Sequence, residues 1–540
     1  MDWITRNLTV LIRVGLAMVC LGMVVVWPGW RPSVAAQGGY IKIVDVKPIQ
    51  VVEQPDFNND GNDDLVLGKP TVVRVKTEIP NPPKLLPSEP INTRLSFGDV
   101  MMNDTRTLQQ VEDNQFMVDF YLTPQAPGKD IIVKAVIDAF DIVGIEKKVT
   151  VKPTQSLHIA YVPISCYDPP LASYNITVAR AGLFLAAQFP IASLTNHRLD
   201  VTLPCSAVNR NRLWQLGKKM SPMADRVVGI TDDTWMDKDP NGGPGTNGFA
   251  WCGSNTAFVR DGHWDTVAHE IGHTYELNHP WSSKCNIRPS GIDLADGFWV
   301  ETQQPIPVGK SLMDYPSNRP VFPQPNRWIA RDDYERIFAN FTTDMNDPEV
   351  LLVSGTIHKD GRLDWSSFYS LASGIIDDAW PGMYAIQVLD SLGKTLYKRS
   401  FDLKFVVLSE TEKEIDYEDF GFAVPYSKEA IAVQVQYNGR VLARVLVTTK
   451  LLRDAVNLIP DAGFIRNPSQ LRAALQDMNS ALEHQLTFGD LGGARANLRN
   501  NIRVQLNQWL LNNYQTQSAL QYTKAEILSL VDEQLQRLGG

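Results

Sequence analysis

The sequence predicts a multidomain protein in which an α+β domain lies between two β-rich domains and a helical domain follows. The chain has 540 residues, and because a single hydrophobic core stops growing well below that size, three or four domains are expected. Apolar residues alternate with period two in 37–152 and again in 346–450, whereas a helical period begins at residue 451. A composition of 44% hydrophobic and 21% charged residues is typical of globular protein.

Residues 1–36 are predicted to be a signal peptide. Arg6 and Arg13 precede an apolar run at 14–27, and Val34-Ala35-Ala36 offers small residues for cleavage. The run is short for a membrane span, which needs roughly 20 residues, although an uncleaved anchor is the alternative. No other stretch is predicted to cross a bilayer. A secreted or cell-surface, extracytoplasmic location follows.

Residues 37–152 are predicted to form an immunoglobulin-like β-sandwich. Strand-like runs occur at 72–75, 131–137 and 149–151, and proline-rich turns separate them.

An acidic loop inside this region is compatible with calcium. Oxygen-bearing side chains alternate at Asp56, Asn58 and Asp60, glycine is sixth, and Asp64 stands at the ninth position. This order resembles the first part of an EF-hand-type loop, but the glutamate expected at the twelfth position is missing. A solvated acidic hairpin loop is the equal alternative.

The region 153–345 is predicted to be the α+β domain. Strands are expected at 157–164 and 226–231, and a helix at 178–189. The run 249–260 is predicted as an edge strand to which a peptide could add as a further strand. An amphipathic helix at 328–341 closes the region.

The segment from His269 to His279 reads His-Glu-Ile-Gly-His-Thr-Tyr-Glu-Leu-Asn-His. On a helix that Asp265 would cap, His269 and His273 lie on one face, and a turn must bring His279 to the same point. Three histidines that leave a fourth position to water are typical of a catalytic zinc. Glu270 is placed to take a proton from that water.

A second motif, Ser311-Leu312-Met313-Asp314-Tyr315, follows this segment. Together the two motifs resemble the metzincin clan of zinc metallopeptidases, over about 190 residues of the chain. The resemblance implies a metzincin-like catalytic domain in which Met313 forms a hydrophobic floor under the zinc site. It also implies that Tyr315 donates a hydrogen bond near the metal or to the transition state.

The chain departs from the clan at Glu276, where a glycine usually ends the helix in a tight turn. Because glycine reaches left-handed backbone conformations without steric cost, a glutamate there predicts modest strain or a different turn. Glu276 is also an alternative carboxylate ligand if the helix continues. His263, just before the helix, is predicted to be a loop histidine rather than a ligand.

Four cysteines remain after the signal peptide, and in an exported chain they predict two disulfides. Sequential pairing, Cys166 with Cys205 and Cys252 with Cys285, is preferred among three possible connectivities. Because no cysteine lies between residues 37 and 164, latency through a thiolate on zinc is excluded.

Residues 346–450 are predicted to be a second β-sandwich, with a hairpin at Asn438-Gly439. Residues 451–540 are predicted to be a helical bundle, with Asn467-Pro468 opening one helix. The apolar stripes of two helices follow: Leu471, Leu475, Met478 and Leu482, then Ile502, Leu506 and Trp509.

A net charge of −9 without a long basic run argues against nucleic acid or an anionic membrane as a partner. The sequence therefore predicts a secreted zinc endopeptidase that acts on a protein or peptide, with its oligomeric state open. The alternative is a non-catalytic surface adhesin or binding protein that retains a peptidase-like domain.

Overall fold

The computed structural model shows several β-sheets and helices in a mixed α/β, multidomain arrangement. It describes residues 42–50, 63–78, 91–106, 109–112, 115–137, 145–154, 156–166, 171, 173–279, 282, 298–299, 304–305, 310–313, 327–340, 348–377, 381–409 and 412–539. The predicted signal peptide and most of the acidic loop lie outside these residues.

The N-terminal region consists of strands. They are β1 (Lys42–Ile49), β2 (Asp63–Val66), β3 (Thr71–Glu78), β4 (Ile91–Phe97), β5 (Val100–Arg106), β6 (Gln109–Glu112), β7 (Gln115–Leu122), β8 (Gly128–Ile137) and β9 (Glu146–Lys152). One sheet has the order β1-β3-β7-β6 and the other β2-β9-β8-β4-β5. Alternate residues of both sheets meet in one core that includes Val73, Phe120 and Val149. The three predicted strand runs are confirmed.

The central region alternates strands and helices. They are β10 (Leu157–Ser165), α1 (Tyr174–Gln188), β11 (Leu194–Arg198), β12 (Leu203–Pro204), α2 (Arg210–Met220), β13 (Arg226–Thr231), α3 (Asp233–Lys238), β14 (Gly248–Trp251), β15 (Thr256–Arg260) and α4 (Trp264–Thr274). Short pieces follow: β16 (Phe298–Trp299), β17 (Gln304–Pro305), β18 (Lys310–Ser311), β19 (Arg327–Trp328) and α5 (Arg331–Asn340).

The central sheet is covered on both faces. Its strands run in the order β11-β10-β13-β15-β14, parallel except for β14. Along β10, Ile159 and Tyr161 join a core with α1 and α4, whereas Ala160 and Val162 join a second core with α2. Because both faces are covered, every residue of β13 is buried, and its middle residues, 227–230, are apolar without alternation.

The expectation of one edge strand at 249–260 is wrong. The run contains two antiparallel strands, β14 and β15, joined by a turn in which Gly253 has φ +65°. Two later strands, β25 (Val406–Leu408) and β26 (Lys413–Glu414), extend the sheet beyond β14, and Trp251 pairs with Val407. The turn residues Gly253-Ser254-Asn255 mark the break in the sequence, and the prediction of a single strand overlooked them. No local pattern indicates a strand partner about 155 residues away.

The remaining strands form two sheets. They are β20 (Val350–His358), β21 (Leu363–Trp365), β22 (Tyr369–Leu371), β23 (Tyr384–Leu389), β24 (Thr395–Phe401), β27 (Tyr417–Pro425), β28 (Ala432–Tyr437) and β29 (Arg440–Leu446). Strand β20 pairs with β21, β22 and β27, and the second sheet has the order β24-β23-β28-β29. The predicted hairpin is confirmed, since Asn438 (φ +49°) and Gly439 (φ +80°) join β28 to β29.

The chain ends in helices α6 (Val447–Asn457), α7 (Pro468–Thr487), α8 (Leu491–Asn497), α9 (Arg503–Trp509) and α10 (Lys524–Arg537). As predicted, α7 begins at Pro468, after Asn467. Leu475, Leu482 and Leu506 are buried in the core that also holds Ala160 and Phe422, so the helices pack into the same core as residues on both sides of the predicted boundary at 346.

Candidate metal centre

Helix α4 carries the first two histidines and begins at Trp264, five residues before His269. Its N-cap is His263, which makes no side-chain capping bond, and Asp265 lies in the first turn. The prediction that Asp265 is the N-cap is therefore wrong. A carboxylate within the first turn still interacts favourably with the positive end of the helix dipole, which explains its place. His263 is buried beside the helix start and is not part of the histidine cluster.

The chain reverses direction directly after α4. Glu276 has φ +63°, the left-handed conformation for which the metzincin clan usually has a glycine at this position. Leu277 N donates to the Gly272 carbonyl at 3.1 Å. The Arg226 guanidinium lies 4.0 Å from the Tyr275 ring centre and Arg226 Nε donates to Thr274 Oγ1, so a cation holds the helix C-terminus. This turn carries the following residues back to the helix face.

The reversal brings three imidazoles to one point. The Nε2 atoms of His269 and His273 are 3.1 Å apart, those of His273 and His279 are 3.2 Å apart, and those of His269 and His279 are 3.3 Å apart. All three side chains are buried. Within the described residues, this is the one group of three or more histidine, cysteine or acidic residues placed to hold a metal ion.

Hydrogen bonds on the far side of two rings fix their tautomers. His269 Nδ1 donates to the Leu312 carbonyl at 2.7 Å, and His273 Nδ1 donates to the Leu277 carbonyl at 2.8 Å. A carbonyl oxygen only accepts, so the proton of each neutral ring is on Nδ1 and its Nε2 carries a lone pair. Two lone pairs facing each other at 3.1 Å repel unless a cation lies between them. The donor set therefore fits a metal ion that prefers imidazole.

Burial keeps the His273 ring neutral. It lowers the pKa of His273 to about 4, and the hydrogen bond to Leu277 opposes the shift only in part. A metal ion therefore does not compete with a proton for this ring at neutral pH.

The segment at residues 310–313 packs against α4 at His269 and Gly272. Leu312 accepts the hydrogen bond from His269, and Met313 is 1% exposed. A Cβ on Gly272 would lie 2.7 Å from Met313 Sδ, so the glycine within the histidine motif permits this close approach. Tyr315, for which the sequence predicts a catalytic hydrogen bond, lies outside the described residues.

The side chain of Glu270, which belongs to α4, lies against Gly248 of β14. It is 2% exposed, and a Cβ on Gly248 would lie 2.9 Å from its Cγ and its Oε1. The absence of a side chain at Gly248 is therefore what makes room for the carboxylate. The predicted base and the three histidines are consecutive parts of one buried helix and turn.

Glu412 is a residue that sequence analysis missed. Its Oε1 lies 3.7 Å from His279 Nδ1, and its side chain is 18% exposed. It precedes β26, in the strand pair that extends the central sheet. No motif marks Glu412, which is 133 positions after its histidine. At 3.7 Å the contact is an ion-pair distance and not a hydrogen bond, and a carboxylate near the non-ligating nitrogen of a histidine increases the basicity of the ring.

The predicted calcium residues are described only in part. Asp56, Asn58 and Asp60 lie outside the described residues. Asp64 lies in β2, is buried, and accepts a hydrogen bond from Lys152 Nζ at 2.8 Å. Calcium binding remains a prediction.

One predicted disulfide is present, between Cys166 and Cys205. Cys252 is also disulfide-bonded, and its partner is outside the described residues, as is Cys285. None of the helices within the described ranges is long and apolar enough to cross a membrane.

No protein-family model matches this chain, and no curated protein matches it. A carbohydrate acetylesterase structure from Xanthomonas citri is 8% identical, covers 74% of this chain and 97% of its own, and has a TM-score of 0.16. A Paenibacillus sp. cycloisomaltooligosaccharide glucanotransferase structure is 9% identical, covers 72% and 70%, and has a TM-score of 0.15. Scores this low imply nothing about the function of this chain.

Proposed function

We propose that this protein is a zinc-dependent endopeptidase whose α4 and central sheet belong to a metzincin-like catalytic domain. The observation that carries the proposal is the convergence of three buried Nε2 atoms, two of them without hydrogen. Glu270, which follows His269 in the same helix, is also buried. A purely structural role would leave these lone pairs without a cation between them.

Zinc is the metal that suits this donor set best. Three imidazoles with room for a further ligand are typical of catalytic zinc, whereas calcium and magnesium prefer oxygen ligands. When bound, zinc would polarise the scissile carbonyl and lower the pKa of water to about 7.

The chain's own groups supply the proton transfers. Glu270 is adjacent to His269 in sequence and takes the proton from the attacking water, then delivers it to the leaving amine. By resemblance to the metzincin clan, Tyr315 donates a hydrogen bond to the oxyanion.

The outer regions are proposed to support this domain. The two N-terminal sheets, which share one core, are interpreted as an immunoglobulin-like sandwich, and the sheets of 346–450 as a second sandwich. The Cys166–Cys205 disulfide is consistent with secretion or a cell-surface location, as the signal-like N-terminus suggests.

The test is cleavage of a mixed protein library by the mature chain, with and without a chelator. Wild type should release peptides, lose the activity on chelation and regain it with one zinc per chain. Glu270→Gln should keep zinc but lose at least about 100-fold in rate, whereas the exposed Glu429→Gln should have no effect.

The outcomes separate the alternatives. Zinc binding without cleavage in wild type would favour the non-catalytic binding protein. Cleavage that survives Glu270→Gln would show that the peptidase activity does not come from this site.

A further inference from the structure

Two further histidines converge far from the α4 motif in sequence, at the opposite end of the central sheet. His158 lies on β10 and His197 on β11, which is the outermost strand on that side. His158 Nδ1 and His197 Nε2 are 3.3 Å apart, and the two rings are stacked with an interplanar angle of 23°. Both side chains are partly exposed, so a solvent ion can reach them.

The convergence is not imposed by strand pairing. His158 is paired with Thr195, and His197 is paired with Ala160, so the two histidines are offset by two positions along the parallel strands. Their side chains share one face: Asn196 approaches Gly182 of α1, and His197 therefore points to the other side of the sheet. The rings must lean along the strands to bring their nitrogens together.

The backbone beneath the pair is fixed. His158 N donates to Asp225 Oδ2 at 2.7 Å, and Leu157 N donates to the Ser193 carbonyl at 3.0 Å. Two rings on a fixed backbone lose little freedom when they bind a common ion, which favours binding.

The nitrogen separation matches the bite of a metal ion. Bonds of about 2.0–2.1 Å in a tetrahedral shell place two ligand nitrogens about 3.3–3.4 Å apart. The same separation, 3.1–3.3 Å, relates the nitrogens of the α4 histidine cluster. No third histidine, cysteine or acidic residue of the described chain completes a cluster here, so water would fill the other positions.

We propose that His158 and His197 form a second, solvent-accessible transition-metal site that prefers Cu²⁺ over Ni²⁺ and Zn²⁺. Imidazole nitrogen is a good ligand for all three ions, and an open site without a fixed geometry follows the general affinity order, in which copper is highest. The ion would tie the outermost strand β11 to β10. This site does not depend on the proposed peptidase activity.

The experiment counts copper ions on the metal-free mature chain by calorimetric titration with CuCl₂, with electron paramagnetic resonance on the same samples. His158→Ala and His197→Ala should each bind one copper ion fewer than wild type and lose one spectral component with nitrogen coupling. His358→Ala is the matched control, because His358 is a partly exposed strand histidine that contacts Asp364 and Arg362 instead of another histidine. It should keep the wild-type count.

Folding is checked in the same set. His197→Gln preserves side-chain bulk and polarity, and it should retain wild-type thermal stability in chelator while losing the copper ion. Added copper should raise the melting temperature of wild type more than that of either alanine variant. Equal copper counts in wild type, His158→Ala and His197→Ala would overturn the proposal and leave the pair as a hydrogen bond only.

Discussion

Gly248 lies where β14 packs against α4, and a methyl group there should displace the proposed base. A Cβ at this position would lie 2.7 Å from Thr266 Cγ2 and 2.9 Å from both Cγ and Oε1 of Glu270. Carbon atoms in ordinary contact are about 3.5–4.0 Å apart. Gly248→Ala therefore requires α4, Glu270 or both to move.

The size of the displacement follows from these distances. Restoring the Thr266 contact to about 3.5 Å needs a shift of about 0.8 Å. The helix cannot retreat freely, because Val267, Ala268 and Ile271 are fully buried in the core. Overpacking of this kind costs about 1–3 kcal/mol in the free energy of unfolding. Misplacing a catalytic group by about 1 Å lowers the rate by about 100-fold.

Two measurements check this prediction: kcat/KM on a protein substrate identified in the library assay, and urea unfolding of the zinc-loaded chain. Gly248→Ala should lose both rate and stability while binding one zinc. Gly492→Ala is the control, since the nearest atom to its added Cβ would be 3.7 Å away. A Gly248→Ala variant with wild-type rate and stability would refute the claim that this glycine makes room for Glu270.

Three further predictions concern residues around the site. Glu412→Ala should weaken zinc binding by about 10–100-fold, as loss of a carboxylate beside a ligating histidine usually does. Glu412→Gln should restore part of the lost zinc affinity. Competition with a chromogenic chelator measures the zinc affinity of both variants. Burial raises the pKa of Glu418 to about 7 although Arg210 is 3.7 Å away. Because the folded pKa exceeds the unfolded value of 4.5, this group contributes stability below pH 4.5 that is lost as the pH rises towards 7. Urea unfolding of the two proteins across this pH range should therefore show that the free energy of unfolding of Glu418→Gln, relative to that of wild type, rises by a few kcal/mol from pH 4.5 to about pH 7. Removing the Cys166–Cys205 disulfide, which spans 39 positions, with a double serine substitution should cost about 4 kcal/mol by loop entropy; a thermal scan that shows no loss would contradict this.

The sequence predicted correctly those features of the fold and the site that depend on residues close together in the chain. The four- and six-residue spacing of the histidines was enough to predict their convergence, because helix geometry fixes the first pair and only a reversal can deliver His279. The missing glycine predicted strain at Glu276, and the structure places that residue at φ +63°. The Asn438-Gly439 turn was predicted for the same reason, since both residues adopt positive φ readily.

Patterns failed where a distant segment decides the outcome. Strand β14 is inside the sheet only because β25 pairs with it, and no local periodicity encodes that choice. Glu412 reaches His279 by the same route, since the strand pair β25–β26 brings it there. Asp265 has the side chain of a helix cap, but the helix starts earlier, so side-chain type alone did not fix the boundary.

Besides the pairing of β14 with β25, a buried ion pair and hydrogen bonds join the central region to the residues after 346. Lys218 Nζ lies 3.2 Å from Asp377 Oδ1, with side chains 1% and 4% exposed, and Asp377 also accepts a hydrogen bond from Ala423 N. Asn255 Nδ2 donates to the Gly421 carbonyl at 2.8 Å. Leaving a buried charge without its partner costs about 3–5 kcal/mol, a large fraction of the stability of a domain. A chain that stopped at residue 345 would lack Asp377 and Glu412, and it would expose the outer edge of β14 and the core surface that residues after 346 cover. The histidine cluster is therefore supported by residues from both sides of that position, and a shortened protein meant to test the proposed function should include the strands and the ion pair contributed from beyond it.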